Sequence, residues 1–448
     1  MKKTLKKRNR VAGAAINSGG FGCVFSPALK CKNSKTKKNY ISKLLIKKYG
    51  IQEVDIIKKI YNVLKKVPNS DKYYLLKNIT LCNPEKLTLD DKENFDDKCE
   101  NLNKINITES NVNEKVNLNK LVSINIPYGG INLNEWLYSS EKIDANKLIK
   151  LNNIIIKMLK NAIIPMSKKK VIHGDIKDKN MLIDTKEDVR IIDWGISGIS
   201  TRKNVIPKEI INRPLQFNMP FSSLIIGEEF VFNYQLFLKK IKSKELSFTE
   251  TNISTFVINE YLIKLARYYG YYDDNMIIFK LLFSSVINKD TYLSEQKKDS
   301  LLEYGYYLSF FSIYITKILM RYTKNYKLDL KKYVEECYIY NSNIWGLLTI
   351  YYNIFFIYNR PDQDVFTIND NTLTIYVNNL RELLVENLFK NGEYKINVKK
   401  VIKEIYKLNK ILKHAKTRKR HNNRNKNRNK KAKSNSKTKK NILSISKF

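Results

Sequence analysis

Apolar residues recur with two different periods along the chain, and the change of period divides the chain into two parts. Alternating apolar residues flank a glycine-bearing turn near the N-terminus, and Tyr40–Ile46 alternates again, so this part predicts antiparallel strands. Apolar residues at 52–66 recur at helical spacing. After a turn signal at 127–130, helical patterns dominate to about Leu412. The pattern predicts an α+β protein with a small strand-rich part and a larger helical part.

Composition divides the chain further. Residues 1–10 form a basic leader, and we expect a small lobe at 11–126 and a large lobe at 127–412. The small lobe contains a polar insertion at about 68–119, which we interpret as a loop region with weak strand signals. Residues 413–448 form a basic tail with too few apolar side chains to offset chain entropy, so we predict that it is disordered.

The charge balance is strongly basic. The 448 residues include 82 Lys and Arg against 43 Asp and Glu, a net charge of +39. Such an excess favours polyanionic partners, so the tail is a candidate to bind nucleic acid or acidic proteins, or to direct nuclear import. A solvated tail with no specific partner is the alternative, since the richness in Asn, Ile, Lys and Tyr is also typical of AT-rich coding.

The cysteines and the apolar segments bear on the compartment. Five cysteines without a CxxC spacing predict neither a zinc site nor a disulfide framework, and they favour a reducing compartment. No apolar segment follows the basic leader, so we expect no signal peptide. The longest apolar stretch, 344–358, is shorter than a membrane span and is interpreted as a core helix. We therefore expect an intracellular protein without a membrane span.

Two polar clusters carry the candidate chemistry, and each follows an apolar segment. They lie in Val171-Ile-His-Gly-Asp-Ile-Lys-Asp-Lys-Asn-Met-Leu-Ile183 and in Val189-Arg-Ile-Ile-Asp-Trp-Gly195. Phosphoryl transfer from ATP requires a carboxylate near the acceptor hydroxyl, oxygen ligands for Mg²⁺ and a nearby cation. Four side chains meet these needs: Asp175 as the carboxylate, Lys177 as the cation, and Asn180 and Asp193 as the metal ligands.

These two segments resemble the protein kinase family. His173-Gly-Asp-Ile-Lys-Asp-Lys-Asn180 is similar to the catalytic loop H-R-D-x-K-x-x-N, and Asp193-Trp-Gly195 is similar to D-F-G at the family's separation. The resemblance implies a bilobal protein-kinase-like fold that uses ATP and Mg²⁺ to phosphorylate Ser or Thr of a protein substrate. In this family the histidine is structural, so His173 receives no role in proton transfer.

The segment Ile16-Asn-Ser-Gly-Gly-Phe-Gly-Cys-Val24 resembles the family's glycine-rich loop, with Asn17 in place of the first glycine. Glycines let the backbone approach phosphates closely. The nucleotide contacts that the resemblance implies outside the lysine strand are Ile16, Gly19, Gly20, Phe21, Gly22, Val24, Leu182 and Ile192.

The strand that follows this loop contains the candidate phosphate-binding lysine. Lys43 corresponds to the lysine of V-A-I-K, with Lys47 and Lys48 as alternatives, and Ile41 would face the adenine. On the next helix, Glu53 is the candidate ion-pair partner of this lysine. Asp55 is the second choice.

Residues 121–137 resemble the strand and hinge between the lobes. If Gly129-Gly130 are the hinge glycines, Pro127 lies where a backbone N–H often bonds adenine, and proline has no N–H. We therefore expect one hinge hydrogen bond to adenine instead of two, and weak ATP binding.

Asn343-Ile-Trp-Gly346 loosely resembles the D-x-W-x-x-G start of the family's long buried helix, with Asn343 in place of the aspartate that braces the catalytic loop. This likeness implies a helical insertion at about 224–332. No A-P-E motif is found, although Asn218-Met-Pro-Phe221 lies about where it belongs.

The catalytic loop has Gly174 where many family members have the arginine that binds an activation-loop phosphate. A phosphate on Ser200 or Thr201 would have one fewer cation to pair with. We therefore expect activity without phosphorylation of the activation loop.

Three functions compete. The first is an active Ser/Thr protein kinase. The second is a small-molecule phosphotransferase, such as an aminoglycoside or choline kinase, which often carries His-Gly-Asp and Ile-Asp-Trp; Lys177 and the aromatic glycine loop favour protein substrates instead. The third is a catalytically silent scaffold, which Asn17, Asn343 and the missing A-P-E favour. Against it, the four residues of which such proteins usually lose at least one are all present, namely Lys43, Asp175, Asn180 and Asp193.

Within the kinases, the chain has a closer likeness to the divergent Ser/Thr kinases of large DNA viruses of the mimivirus and phycodnavirus type. Gly19-Gly-Phe-Gly-Cys-Val-Phe-Ser-Pro27 and Pro127-Tyr-Gly-Gly130 carry it. The likeness implies a viral protein in the host cytoplasm or the virion, with the nucleus as the alternative through the basic tail.

Overall fold

The computed structural model describes residues 14–19, 22–32, 39–140, 142–213, 215–269, 274–287, 298–359 and 365–414. A small part built around an antiparallel sheet precedes a larger, mainly helical part, so the α+β class predicted from the sequence is confirmed. The predictions for the leader at 1–10 and for the tail beyond residue 414 lie outside the described residues.

Five strands form the sheet of the small lobe, in the order β1–β2–β3–β5–β4. Lys43 lies in the middle of β3, opposite Val24 of β2 and Ile124 of β5. Both neighbouring strands therefore fix its position. The strands are β1 Ala14–Gly19, β2 Gly22–Ser26, β3 Tyr40–Ile46, β4 Thr80–Cys82 and β5 Leu121–Pro127.

The two faces of this sheet are covered differently. On one face, Leu45 and Ile124 pack against Val54 of helix α1, Lys47–Leu64. On the other face, strand side chains such as Phe25 join a second apolar cluster with residues of the polar insertion. Because side chains alternate along a strand, Lys43 shares the first face with Leu45.

The polar insertion contains more regular structure than the loop predicted from the sequence. Its short helices are α2 Leu89–Lys92, α3 Phe95–Lys98, α4 Glu100–Asn103 and α5 Lys115–Leu118. A capping box between Thr88 and Asp91 starts the first helix, and Phe95 and Leu102 are buried under the sheet. Helices of four residues leave no periodic pattern, which explains why the sequence did not predict them.

The small lobe contains two disulfide bonds, one between β2 and the helices of the insertion and one between the β2–β3 connection and β4, so the prediction of no disulfide framework was wrong. Cys23 of β2 bonds Cys99 with a Cα–Cα distance of 5.0 Å, and Cys31 bonds Cys82 at 5.8 Å. The cysteines of each pair are 76 and 51 residues apart and meet only through folding, so no local spacing predicts them. The reducing compartment stays a prediction that the cysteines no longer favour. The fifth cysteine, Cys337, is free and buried.

Short strands continue the chain beyond the hinge. Strands β6, β8 and β9 form a three-stranded sheet, β7 pairs with β10, and β11 pairs with β12. The strands are β6 Ile131–Asn132, β7 Val171–Ile172, β8 Met181–Ile183, β9 Val189–Ile191, β10 Gly198–Ile199, β11 Thr323–Lys324 and β12 Lys327–Leu328.

Helices build the rest of the large lobe around one extensive apolar core. Helices α9 to α12 lie between β10 and α14, in the region where the sequence predicted an insertion. The helices are α6 Leu133–Tyr138, α7 Ala145–Met158, α8 Ile164–Lys168, α9 Glu228–Lys242, α10 Glu250–Tyr269, α11 Asp274–Ile287, α12 Lys298–Tyr322, α13 Leu330–Tyr333, α14 Ile339–Leu348, α15 Tyr352–Tyr358, α16 Asp370–Leu384 and α17 at 398–414.

Helix α14 lies at the centre of this lobe. Its residues are almost all buried, and Phe221 packs between Trp345 of α14 and Phe311 of α12, with ring centroids 5.5 and 4.9 Å away. The apolar stretch 344–358 falls within α14, a 3₁₀ turn and α15, as a core segment. Among the helices that the structure describes, none has the length and apolarity to cross a membrane.

Candidate active site

Lys43 joins two carboxylates that come from distant parts of the chain. Its Nζ donates to both oxygens of Glu53, at 2.9 Å each, and to Oδ1 of Asp193 at 3.0 Å. Glu53 lies on α1 and is 7% exposed, whereas Asp193 follows β9 at the cleft. The structure therefore brings a cation from the sheet, an acid from the helix and an acid from the large lobe to one point.

The alternatives that the sequence left open occupy other places. Lys47 and Lys48 are exposed on the first turn of α1, and Asp55 is exposed on the same helix. The two side chains that meet are therefore Lys43 and Glu53.

The charges at this point support each other. Burial alone would lower the pKa of the Lys43 ammonium, but Asp193 and Glu53 more than offset it, so this pKa lies above its ordinary value. Lys43 holds the pKa of Asp193 below its ordinary value. Burial raises the pKa of Glu53, and Lys43 opposes that shift only in part. Removing Lys43 would leave Glu53 as a buried acid without a counter-charge.

Asp175 receives hydrogen bonds on both carboxylate oxygens. Lys177 Nζ and Asn180 Nδ2 lie 2.9 and 2.8 Å from Oδ2, and Asn218 Nδ2 lies 2.7 Å from Oδ1. The first two donors belong to the same loop as Asp175, and the sequence predicted them as site residues. The contact from Asn218 was not predicted from the sequence, where Asn218-Met-Pro-Phe221 lies about where A-P-E belongs.

His173 connects the loop of Asp175 to the strand end that carries Asp193. Its Nε2 is 3.0 Å from the carbonyl oxygen of Ile192, and its Nδ1 accepts from the Asp175 N–H at 3.2 Å. Burial lowers the pKa of His173, which favours the neutral ring. The ring also meets Trp194 edge-on at 4.6 Å, and Trp194 meets Tyr74 at 5.9 Å. These contacts describe a structural histidine.

Asn343 on α14 holds the catalytic loop through two hydrogen bonds to its backbone. Its Oδ1 accepts from the N–H of His173 at 3.0 Å, and its Nδ2 donates to the carbonyl of Val171 at 2.8 Å. The amide oxygen thus accepts where the resemblance places an aspartate, and the amide nitrogen adds a donated bond that an ionised aspartate could not make. Close packing of α14 on the loop also explains Gly346, because a Cβ there would lie 2.7 Å from the Ile176 carbonyl oxygen.

Gly174 occupies a backbone conformation with φ of 80°, which favours glycine over the arginine of many kinases. In the segment that follows Asp193, Ser200 is 3% exposed, and its backbone N–H donates to the Lys170 carbonyl. Thr201 is exposed. Of the two hydroxyls singled out in the sequence, only that of Thr201 is accessible in this conformation.

Oxygen atoms suited to Mg²⁺ lie at the site. Both hydrogen bonds of the Asn180 amide are donated by its nitrogen, to the backbone and side chain of Asp175, which leaves its oxygen for a metal. Asp193 offers a carboxylate with a half-exposed side chain. Within the described residues no cluster of three or more His, Cys, Asp or Glu side chains could hold an ion. Two protein oxygens completed by phosphate and water fit the way Mg²⁺ is usually bound.

The predicted nucleotide contacts are placed around the cleft as far as the structure describes them. Gly19 pairs with Gly22 at the end of the β1–β2 hairpin, and Ile41 lies opposite Ile126 in β5. Leu182 is close to the hinge, since a Cβ on Gly129 would lie 2.7 Å from its side chain. The remaining predicted contacts are Ile16, which is exposed on β1, and Val24 and Ile192, which are half-buried, whereas Gly20 and Phe21 lie outside the described residues.

At the hinge, Pro127 has no backbone N–H to donate. Pro127 ends β5 opposite Tyr40, and the next residue, Tyr128, donates its N–H to the Asn39 carbonyl at 2.8 Å. Because successive N–H groups of a strand point to opposite sides, a non-proline residue at 127 would direct its N–H away from β3. The proline therefore removes a donor without breaking a bond of the sheet.

A comparison with protein families agrees with this site. A family model described as "protein kinase domain" matches residues 99–213, a segment that includes the hinge, Asp175 and Asp193 but not the glycine hairpin, Lys43 or Glu53. No curated protein matches the chain. The match covers about a quarter of the chain, and within those residues the chain is similar to the protein kinase domain. The lysine–glutamate pair lies outside the matched segment.

Proposed function

We propose that the protein is a Ser/Thr protein kinase that transfers the γ-phosphate of ATP to protein hydroxyls. The observation that carries the proposal is the meeting of Lys43 with Glu53 and Asp193, 2.9 and 3.0 Å away. This pairing of a sheet lysine, a helix glutamate and a metal-binding aspartate is the arrangement that phosphoryl transfer in this family requires. His173 ties it to the loop that holds Asp175.

In this proposal each side chain has a separate task. Lys43 would bind the phosphates, and Asn180 and Asp193 would hold Mg²⁺, which would supply positive charge opposite the phosphate oxygens. Asp175 orients the acceptor hydroxyl and takes its proton, and Lys177 stabilises the charge beside it. Catalysis then comes mainly from positioning and electrostatic stabilisation.

Lys177 favours protein acceptors over small molecules, because a lysine two residues after this aspartate is typical of Ser/Thr protein kinases. Its ammonium lies 2.9 Å from Asp175. A silent scaffold is disfavoured by the complete set of charged contacts around Lys43. The viral origin, the cellular location and the binding of nucleic acid or acidic proteins by the tail stay predictions.

A competition between acceptors tests the proposal. Wild-type protein is incubated with γ-labelled ATP, Mg²⁺, a mixture of basic and acidic proteins, an aminoglycoside and choline, and the labelled products are separated. We expect label in phosphoserine and phosphothreonine. Label in the small molecules alone would support the second candidate function, and nucleotide binding without transfer to any acceptor would support the scaffold.

The hinge provides a separate prediction about nucleotide affinity. In the proposed complex Pro127 deprives adenine N1 of a backbone donor, so Pro127→Ala should restore one hydrogen bond. Since such a bond contributes about 1 kcal/mol, the KM for ATP should fall about fivefold. The measurement is KM for ATP and for 1-deaza-ATP, which lacks the N1 acceptor. An equal gain with both nucleotides would show that the adenine does not contact residue 127.

A further inference from the structure

We propose that Asn218 is a positioning residue for phosphoryl transfer, acting through Asp175. The inference rests on the proposed function, because it concerns the same carboxylate. The Asn218 side-chain amide donates to Asp175 Oδ1 at 2.7 Å and to the Ile176 carbonyl at 3.2 Å. Asn218 is 1% exposed, so water does not compete strongly for these bonds.

The contact fixes the orientation of the Asp175 carboxylate. Rotation about the last side-chain bond of an aspartate is soft, so donors on one oxygen alone leave the plane of the group poorly defined. Lys177 and Asn180 both bind Oδ2, and Asn218 donates to Oδ1. With donors on both sides, the carboxylate is held in one orientation before the acceptor arrives, which lowers the cost of reaching the transition state.

The segment that carries Asn218 is itself anchored on α14. The indole N–H of Trp345 donates to the Phe217 carbonyl at 2.9 Å, and the Phe217 ring lies 6.2 Å from that of Tyr352 on α15. Helix α14 also contacts the catalytic loop, through the hydrogen bond between Asn343 and His173. The same helix therefore contacts both the catalytic loop and the segment that carries Asn218.

This arrangement links the segment between Asp193 and Asn218 to the catalytic loop without a phosphate. In kinases that carry an arginine at the position of Gly174, a charged pair makes such a link after phosphorylation. Here Gly174 cannot make that pair, and a neutral amide from the end of the segment reaches Asp175 instead. The link is therefore present in the unmodified chain.

Four variants of the full-length protein test the role of Asn218. Asn218→Ala removes the donor, Asn218→Ser keeps a hydroxyl donor, and Asn218→Asp keeps the shape but replaces the donor with a second carboxylate. Asn341→Ala is the matched control, because Asn341 is also 1% exposed on α14 and also makes two hydrogen bonds, to Tyr394 and Ile396.

Losing a hydrogen bond to a charged group should lower kcat of Asn218→Ala about 10- to 100-fold, with KM for ATP unchanged. Asn218→Ser should recover part of the loss, and Asn218→Asp should fall at least as far as the alanine variant. Asn341→Ala should lose stability but keep its kcat per folded molecule.

An unchanged kcat in Asn218→Ala, or an equal loss in Asn341→Ala, would overturn the inference. Asp175→Ala in the same assay tests the proposed function separately, since its activity does not depend on how Asn218 behaves.

Discussion

Replacing Lys43 by methionine is expected to lower phosphotransfer about 100- to 1000-fold, as the loss of one preorganised charged contact to the reacting group typically does. Methionine is close to lysine in length and leaves the packing of β3 largely intact. It removes the cation that reaches both Glu53 and Asp193. The measurement is the initial rate of label transfer to protein at saturating Mg-ATP, compared with the wild type.

The same substitution should leave a recognisable dependence of stability on pH. Burial raises the pKa of Glu53, and in Lys43→Met the opposing cation is absent. A group that binds its proton more tightly in the folded state makes folding more favourable as the pH falls. The variant should therefore recover stability between the raised folded pKa and the ordinary value of 4.5, relative to the wild type.

Lys47→Met is the control, because Lys47 is exposed on α1 and was an alternative in the sequence. It should keep both the rate and the pH dependence of the wild type. An equal loss of rate in the two variants would contradict the role given to Lys43.

Reducing the two disulfides is expected to lower the free energy of unfolding strongly. The bonds close loops with sequence separations of 76 and 51 residues. In the chain-entropy account, loops of this length contribute about 4 kcal/mol each to the free energy of unfolding. The Cys31–Cys82 loop lies within the Cys23–Cys99 loop, so their sum is smaller. Even so, the loss is large compared with the total free energy of unfolding of a typical domain, which is about 5–15 kcal/mol.

Thermal unfolding with and without reductant measures this effect. We expect a clear fall in Tm on reduction, and a smaller fall in a Cys23→Ser, Cys99→Ser protein without reductant, because that variant keeps the Cys31–Cys82 bond. Cys337→Ser should keep the full response, because Cys337 is not in a disulfide. A Tm that does not respond to reductant would contradict the presence of the two disulfides.

The part of the site that could be predicted from the sequence consists of residues on short, regular elements. Asp175, Lys177 and Asn180 lie on one turn of chain, so their spacing alone brings them together. Lys43 and Glu53 lie on a strand and the helix that follows it, ten residues apart. Local geometry constrains such pairs, and the sequence therefore distinguished them from their lysine and aspartate neighbours.

The rest depends on contacts that no local pattern records. Asn218 meets Asp175 across 43 residues, and Cys23 meets Cys99 across 76. Asparagine is common throughout this chain, so a single buried one gives no signal in the sequence. The short helices around Phe95 pack through scattered apolar side chains, and only the sheet above them shows which of those residues are buried.

The most direct test of the central claim is the transfer of label from γ-labelled Mg-ATP to protein Ser and Thr by the wild type and by Asp175→Ala. Asp184→Ala serves as the control, since Asp184 pairs with Arg190 away from the acceptor contacts. The account predicts transfer by the wild type and Asp184→Ala, and none above background by Asp175→Ala. Transfer by Asp175→Ala at the wild-type rate would contradict it.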